Sequence, residues 1–154
     1  MSPDHLSETD DHVAITRLQS AYADGVTRRD WDQVAALFLP EAPVALDLVT
    51  RPTIELVGPA AITGFIATAL ERFSFFQFLV LNAHVDLWPD GEHDRATARV
   101  FMCELRQTVG ETARNDAFGL YRDTCQRIDG RWRIGARSYR SMAHFPAGDI
   151  FPLT

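Results

Sequence analysis

The chain has 154 residues, 46% hydrophobic and 23% charged, the make-up of one globular domain with a sizeable core. Its 21 acidic residues outweigh 15 basic ones, all arginine, for a net charge of −6; that argues against a nucleic-acid binder, whose affinity comes from neutralising phosphates. Two cysteines support neither a disulfide framework nor a zinc site, the polar start is not a signal peptide, and no run reaches the ~18 apolar residues of a membrane span, so a cytoplasmic protein without a structural metal is expected.

Taken in chain order, residues 1–9 read as a loose arm. Thr9 or Asp10 can cap a helix running to about Arg28, because Ile15, Leu18, Tyr22 and Val26 recur at spacings of three and four. Asp24 lies half a turn from that stripe and should face water. Asp30 is a good cap for a short helix over WDQVAALF, which Pro40 ends. The period then switches to two in APVALDLV (42–49) and TIELVG (53–58), with Arg51-Pro52 as the turn. GPAAITGFIATAL, with Pro59 in its first turn and Ile62, Phe65, Ile66 and Leu70 on one stripe, is a third helix.

From Phe75 onward the sequence reads as four long strands, the last two joined by Asp129-Gly130, a strong hairpin signal. Three helices interrupted by a strand pair, then an antiparallel meander, predict an α+β domain over 10–142. Its helices pack on one face of a curved sheet of about six strands. The tail 143–154 cannot continue the sheet far; it either packs along the surface or closes one end of the domain.

The stretch LYRDTCQRIDGRWRIGARSYR (120–140) holds six arginines and looks like a basic patch. A strict period of two resolves it differently. Trp132, Ile134, Ala136, Ser138 and Arg140 share the core face, and Arg131, Arg133, Arg137 and Tyr139 face out. The same period in RATARVFMCELR carries Ala96, Ala98, Val100, Met102, Glu104 and Arg106 inward, and Phe101, Cys103 and Leu105 outward. An inward carboxylate must be paired, protonated or wet. Arg140 is the expected partner of Glu104, and a structural salt bridge without chemistry is the alternative. The face of Asp123 is left open. Outward, it pairs with neighbouring arginines, which the alternating charge favours; inward, it joins Glu104 as a carboxylate pair.

The segment LQSAYADGVTRRDWDQVAALFLPEAPV, the helix start VGPAAI and the stretch 120–140 together resemble the SnoaL-like proteins of the nuclear-transport-factor-2-like superfamily. The resemblance spans about residues 10–142 and implies a cone-shaped α+β barrel. Within the family the nearest branches are the scytalone and bile-acid dehydratases, cofactor-free enzymes that use a tyrosine, an Asp–His pair and further polar groups inside the cone. Carried onto this chain, the tyrosine falls on Tyr22, the strand carboxylate on Glu104 and the late arginine on Arg140. The aspartate of the pair falls on Thr27, and the histidine falls among Gln77, Phe78 and Leu79. A pocket tyrosine of the scytalone branch, and the catalytic aspartate of the ketosteroid isomerases, fall on Leu46. The Asp–His pair is therefore absent, and His84 is expected on the opposite face of its strand from Leu79 and Leu81.

These readings converge on an apolar cone walled by Leu46, Phe65, Leu79, Leu81, Val100 and Met102, suited to a hydrophobic ring compound such as a polyketide, steroid, terpenoid or aromatic. Tyr22 would donate to a carbonyl or enolate, Glu104 would move the proton, and Arg140 would orient an anion. Thr27, an inward Asp123 and His144 of the tail would complete the ligand contacts. The expected activity is cofactor-independent acid–base chemistry of the dehydratase, isomerase or cyclase type. The alternative is a non-catalytic ligand-binding or interaction module. The outward Phe101, Cys103 and Leu105 point to homodimerisation through the sheet.

Overall fold

The computed structural model describes residues 3–146, 148 and 150–153, with side chains from Ser7 onward. Helix α1 spans Pro3–Arg28, so it begins well before Thr9, where the sequence reading ended a loose arm. Pro3 in the first turn suits a helix start, since the amide hydrogen it lacks has no intrahelical acceptor there. Ile15, Leu18, Tyr22 and Val26 form its buried stripe. Asp24 faces water and bonds Arg28 one turn on, at 2.8 Å.

Helix α2 (Trp31–Ala36) starts behind Asp30, whose carboxylate accepts from the Gln33 amide at 3.1 Å. Strands β1 (Pro43–Asp47) and β2 (Ile54–Val57) pair antiparallel, and helix α3 (Pro59–Leu70) follows. Strands β3 (Phe73–Leu87), β4 (Arg95–Thr108), β5 (Asp116–Ile128) and β6 (Arg131–Phe145) make the meander. The six-stranded sheet has the order β2-β1-β6-β5-β4-β3, and β1 joins β6 as its parallel pair. Asp129 and Gly130 both take positive φ (52° and 74°), the left-handed pair that a two-residue hairpin turn requires. No helix among the described residues is long and apolar enough to cross a membrane.

The strands are not continuous in register, and this is where the period-two reading fails. In β6, Thr124 faces Ala136 and Cys125 faces Ile134, which leaves Gly135 as a bulge. One extra residue turns every later side chain to the other face. Trp132 and Ile134 point to the core as expected, but beyond Gly135 the buried residues are Arg137, Tyr139 and Ser141. Ala136, Ser138 and Arg140, expected inward, lie on the opposite face. A second bulge at Leu81 in β3 and a third at Met142 in β6 have the same effect.

In β3 the core side chains are Phe73, Phe76, Phe78, Val80, Ala83, Val85 and Leu87. Leu79 falls on the outer face opposite Cys103, and Leu81 is 57% exposed at its bulge. Neither walls the cone. His84 is exposed on that outer face and bonds Asp86 at 3.1 Å.

Candidate functional site

Between the concave side of the sheet and helices α1 and α3 lies a cavity of about 790 Å³, within the range of small-molecule sites. Its apolar wall comes from β1 and β2 (Leu46, Ile54, Leu56) and from α3 (Ile62, Phe65, Ile66). Phe73, Phe76 and Phe78 line the β3 side. Its polar groups include Tyr22 from α1, Glu104 and Arg106 from β4, Tyr121 from β5, and Arg137 and Tyr139 from β6, with Arg51 and Arg72 from the segments after β1 and α3. His144, Gly148 and Phe151 bring the tail to the mouth, where the Phe151 amide bonds the Met142 carbonyl at 2.7 Å.

Arg137 organises the closed end. Its Nε and Nη2 donate to Asp123 at 2.7 Å each, and Nη2 also donates to Gln19 at 2.8 Å. Gln19 in turn donates to Asp123 at 2.8 Å. Both side chains of this ion pair are sealed, at 1% and 0% exposure. The guanidinium carbon sits 4.1 Å from the Tyr121 ring centre and 4.4 Å from that of Tyr22, close enough for cation–π attraction. Its remaining nitrogen, Nη1, is buried without a hydrogen-bond partner. Burial raises both tyrosine phenols above their ordinary value, and the nearby Arg137 charge only partly offsets this. At neutral pH they are hydrogen-bond donors, not bases.

Among the described residues, Glu104 is the carboxylate that lines the cavity. Its side chain keeps 23% exposure at the cavity wall. Burial raises its carboxyl above the ordinary glutamate value, and the Arg106 guanidinium at 3.2 Å offsets this in part. Arg106 is held in place by the Asn115 carbonyl (2.8 Å) and side-chain oxygen (3.0 Å). The thiols are inert by comparison. Burial pushes Cys125 up to about 12 and raises Cys103, so neither is a thiolate at neutral pH.

Of the residues singled out by sequence, Tyr22, Glu104, Leu46, Phe65 and His144 line one cavity. Arg140 does not; it lies past the Gly135 bulge and bonds Asp47 of the neighbouring β1 at 2.8 Å. The partner expected for Glu104 is therefore replaced by Arg106, two residues along the same strand face. Asp123 points inward, against the reading that favoured the outer face. It belongs to the sealed Arg137 pair and lies outside the cavity wall. Val100 and Met102 face inward as expected but are packed solid in the core at 1% and 0% exposure. Leu79 and Leu81 are outside the wall for the reason given above.

Thr27 is not a ligand group either. Its hydroxyl accepts from the Phe78 amide at 3.0 Å. The position where the resemblance puts the aspartate thus does touch the segment 77–79 where it puts the histidine, but through a backbone amide and not a side chain. Tyr121, Tyr139, Arg106 and Arg137 were missed as site residues. Gly135 inside an otherwise regular strand was the one available signal for the last of these, since an isolated strand glycine often marks a bulge.

Comparison with solved structures places the architecture. A candidate scytalone dehydratase from Novosphingobium aromaticivorans DSM 12444 superposes with a TM-score of 0.77 at 18% identity, over 96% of this chain and 92% of that one. The hexachlorocyclohexane dehydrochlorinase LinA-type3 from Novosphingobium barchaimii LL02 gives 0.80 at 17% identity, over 97% and 99%. LinA gives 0.81 at 18% identity, over 97% and 99%. At such identities the likeness is one of fold. No curated protein matches the sequence significantly. The SnoaL-like domain matches residues 7–138, nearly the whole of the helices and sheet just described, and the chain belongs to that family, in the nuclear-transport-factor-2-like superfamily.

Proposed function

We propose that the protein is a cofactor-independent enzyme that enolises a hydrophobic ring ketone, completing a dehydration or a double-bond isomerisation. One observation carries this reading: a single apolar-walled cavity touches Glu104, Tyr22, Tyr121 and Arg137. The Glu104 carboxylate takes a proton from the carbon beside the ring carbonyl, and the electron pair moves onto the carbonyl oxygen. The two phenol donors, with the Arg137 charge behind them, stabilise that oxyanion as it forms. The enolate then collapses in one of two ways. It expels a β-hydroxyl, which takes the Glu104 proton and leaves as water, or, where the ketone carries a β,γ double bond, the dienolate takes the Glu104 proton back at the γ-carbon and the double bond moves into conjugation. The raised carboxyl value suits Glu104 to both halves of the cycle, since it brings the group nearer neutrality.

Scytalone dehydratase and the dehydrochlorinases among the structural neighbours are named for eliminations, which fits this class. Turnover of a panel of ring ketones and β-hydroxy ring ketones is expected for the wild type and lost by about 10²–10⁴-fold in Glu104→Gln, with the melting temperature retained. Equal turnover in the two would overturn the assignment. A second reading, a ligand carrier without chemistry, is favoured by Thr27, and by Gln77, Phe78 and Leu79, standing where the resemblance puts the Asp–His pair. It predicts ligand binding with no turnover in either protein. The outer sheet face is our proposed homodimer contact, although of the residues expected to form it Cys103 is buried and Phe101 and Leu105 are half-buried, and the exposed apolar side chains there are Leu81 and Phe75. Sedimentation should give twice the chain mass for the wild type and the single mass for Leu81→Asp.

A further inference from the structure

The protein is acidic, with 21 carboxylates against 15 arginines, but its cavity is the reverse. Among the described residues, the charged side chains that line it are Arg51, Arg72, Arg106 and Arg137 against Glu104 alone. Two of these arginines are accounted for. Asp123 neutralises Arg137 through two 2.7 Å bonds, and Glu104 pairs with Arg106. Arg51, in the turn between β1 and β2, and Arg72, just after α3, make no ion pair among the described residues. Both are exposed, so they mark the lip of the cavity and not its closed end.

Arg72 is not a loose surface charge. Its guanidinium carbon lies 4.8 Å from the centre of the Phe73 ring, and that of Arg106 lies 5.2 Å from the same ring. Phe73 therefore anchors two cations beside Glu104 and lines the cavity itself. The Arg72 charge also reaches Glu104.

We propose that the cavity takes an anionic ring compound, a carboxylate whose acid group docks on Arg72 at the lip with Arg51 as the second cation, and whose ring body fills the apolar wall. The inference rests on the reading of the cavity as a site for ring compounds, and adds the substrate's charge. An arginine fork matches a carboxylate's two oxygens, and the Leu46, Phe65 and Ile66 wall demands an apolar body behind it. A ligand oriented this way lays its ring body along that wall towards the two tyrosines, with Glu104 beside its path. It also occupies Arg72, a second positive charge that acts on Glu104 beside Arg106, so docking and proton transfer become coupled.

The test is a binding measurement on the intact protein by fluorescence titration, using pyrene-1-carboxylic acid, 2-naphthoic acid and their methyl esters. The acids are expected to bind about tenfold tighter than the esters at low salt. The preference should shrink to under about twofold in Arg72→Ala, partly in Arg51→Ala, and in about 0.5 M salt. Arg72→Glu should reverse it towards 1-aminomethylpyrene. Equal binding of acid and ester by the wild type, or a preference unchanged in Arg72→Ala, overturns the inference while leaving a cavity for neutral ring compounds. Acid-selective binding with no turnover of any ring ketone supports the inference and overturns the enzymatic reading instead. Failure of every ring compound to bind overturns both.

Discussion

Two arginine–carboxylate pairs lie within the same cone and differ in kind. At the closed end, Arg137 and Asp123 meet through two bonds of 2.7 Å with Gln19 bridging them, and neither side chain exceeds 1% exposure. Nearer the mouth, Arg106 and Glu104 meet through one contact of 3.2 Å, with 11% and 23% exposure. Residue types do not separate them; access and satisfaction do. A carboxylate whose oxygens are all engaged in a dry site is a structural clamp. One held by a single contact at a cavity wall keeps an oxygen for a proton.

Variants should break the two pairs in opposite ways. The largest effect is expected from Asp123→Asn, which leaves the Arg137 charge buried without its partner. It should cost about 3–5 kcal/mol, a fall of roughly 10 °C in Tm measured by circular dichroism. Glu104→Gln should change Tm little and remove turnover, because its cost falls on the chemistry. Gly119→Ala probes the floor of the cavity, where an added methyl group runs into the Tyr139 ring. A loss of about 1–3 kcal/mol is expected in a denaturant titration.

A smaller effect sharpens the comparison through pH. The Glu104 carboxyl is raised in the folded state, so its protonated form is the favoured one there. The stability it contributes is complete below the ordinary glutamate value and is lost as pH rises through the raised folded value. Thermal melts from about pH 4 to 8 should therefore show Glu104→Gln gaining on the wild type with rising pH. The acid limb of the wild-type rate profile should lie above the ordinary glutamate value and vanish in the variant. Smallest of all is Arg140→Ala. Its half-exposed pair with Asp47 is worth under about 1 kcal/mol, and activity should stay within twofold.

The limits of the sequence reading lie in register more than in residue type. Helical stripes were legible because α1 and α3 bury one face each at a period that nothing interrupts: Ile15, Leu18, Tyr22 and Val26 all lie where their spacing puts them. Strand faces were legible only up to the first bulge. Along β4, which β3 and β5 pair without a skipped residue of its own near Glu104, the inward set from Ala96 to Arg106 is right, and it already contained the true partner of Glu104. Along β6 the single residue Gly135 exchanges Arg137 for Arg140, and with it the arginine of the site. The bulge at Leu81 likewise exchanges the expected leucine wall for phenylalanines. Asp123 was ambiguous for a different reason: the alternation along β5 is regular but did not say which face is the core, and Tyr121, Asp123 and Cys125 share the buried one.

The measurement that bears most directly on this account is deuterium exchange from solvent into a bound ring ketone. Proton NMR at the carbon beside the carbonyl of an oxo-tetralin carboxylic acid would follow it, with wild type, Glu104→Gln and Arg140→Ala in parallel. The account predicts exchange catalysed by the wild type and by Arg140→Ala, and a loss of at least about a hundredfold in Glu104→Gln at unchanged Tm. Exchange that persists in Glu104→Gln, or that disappears in Arg140→Ala, would contradict it.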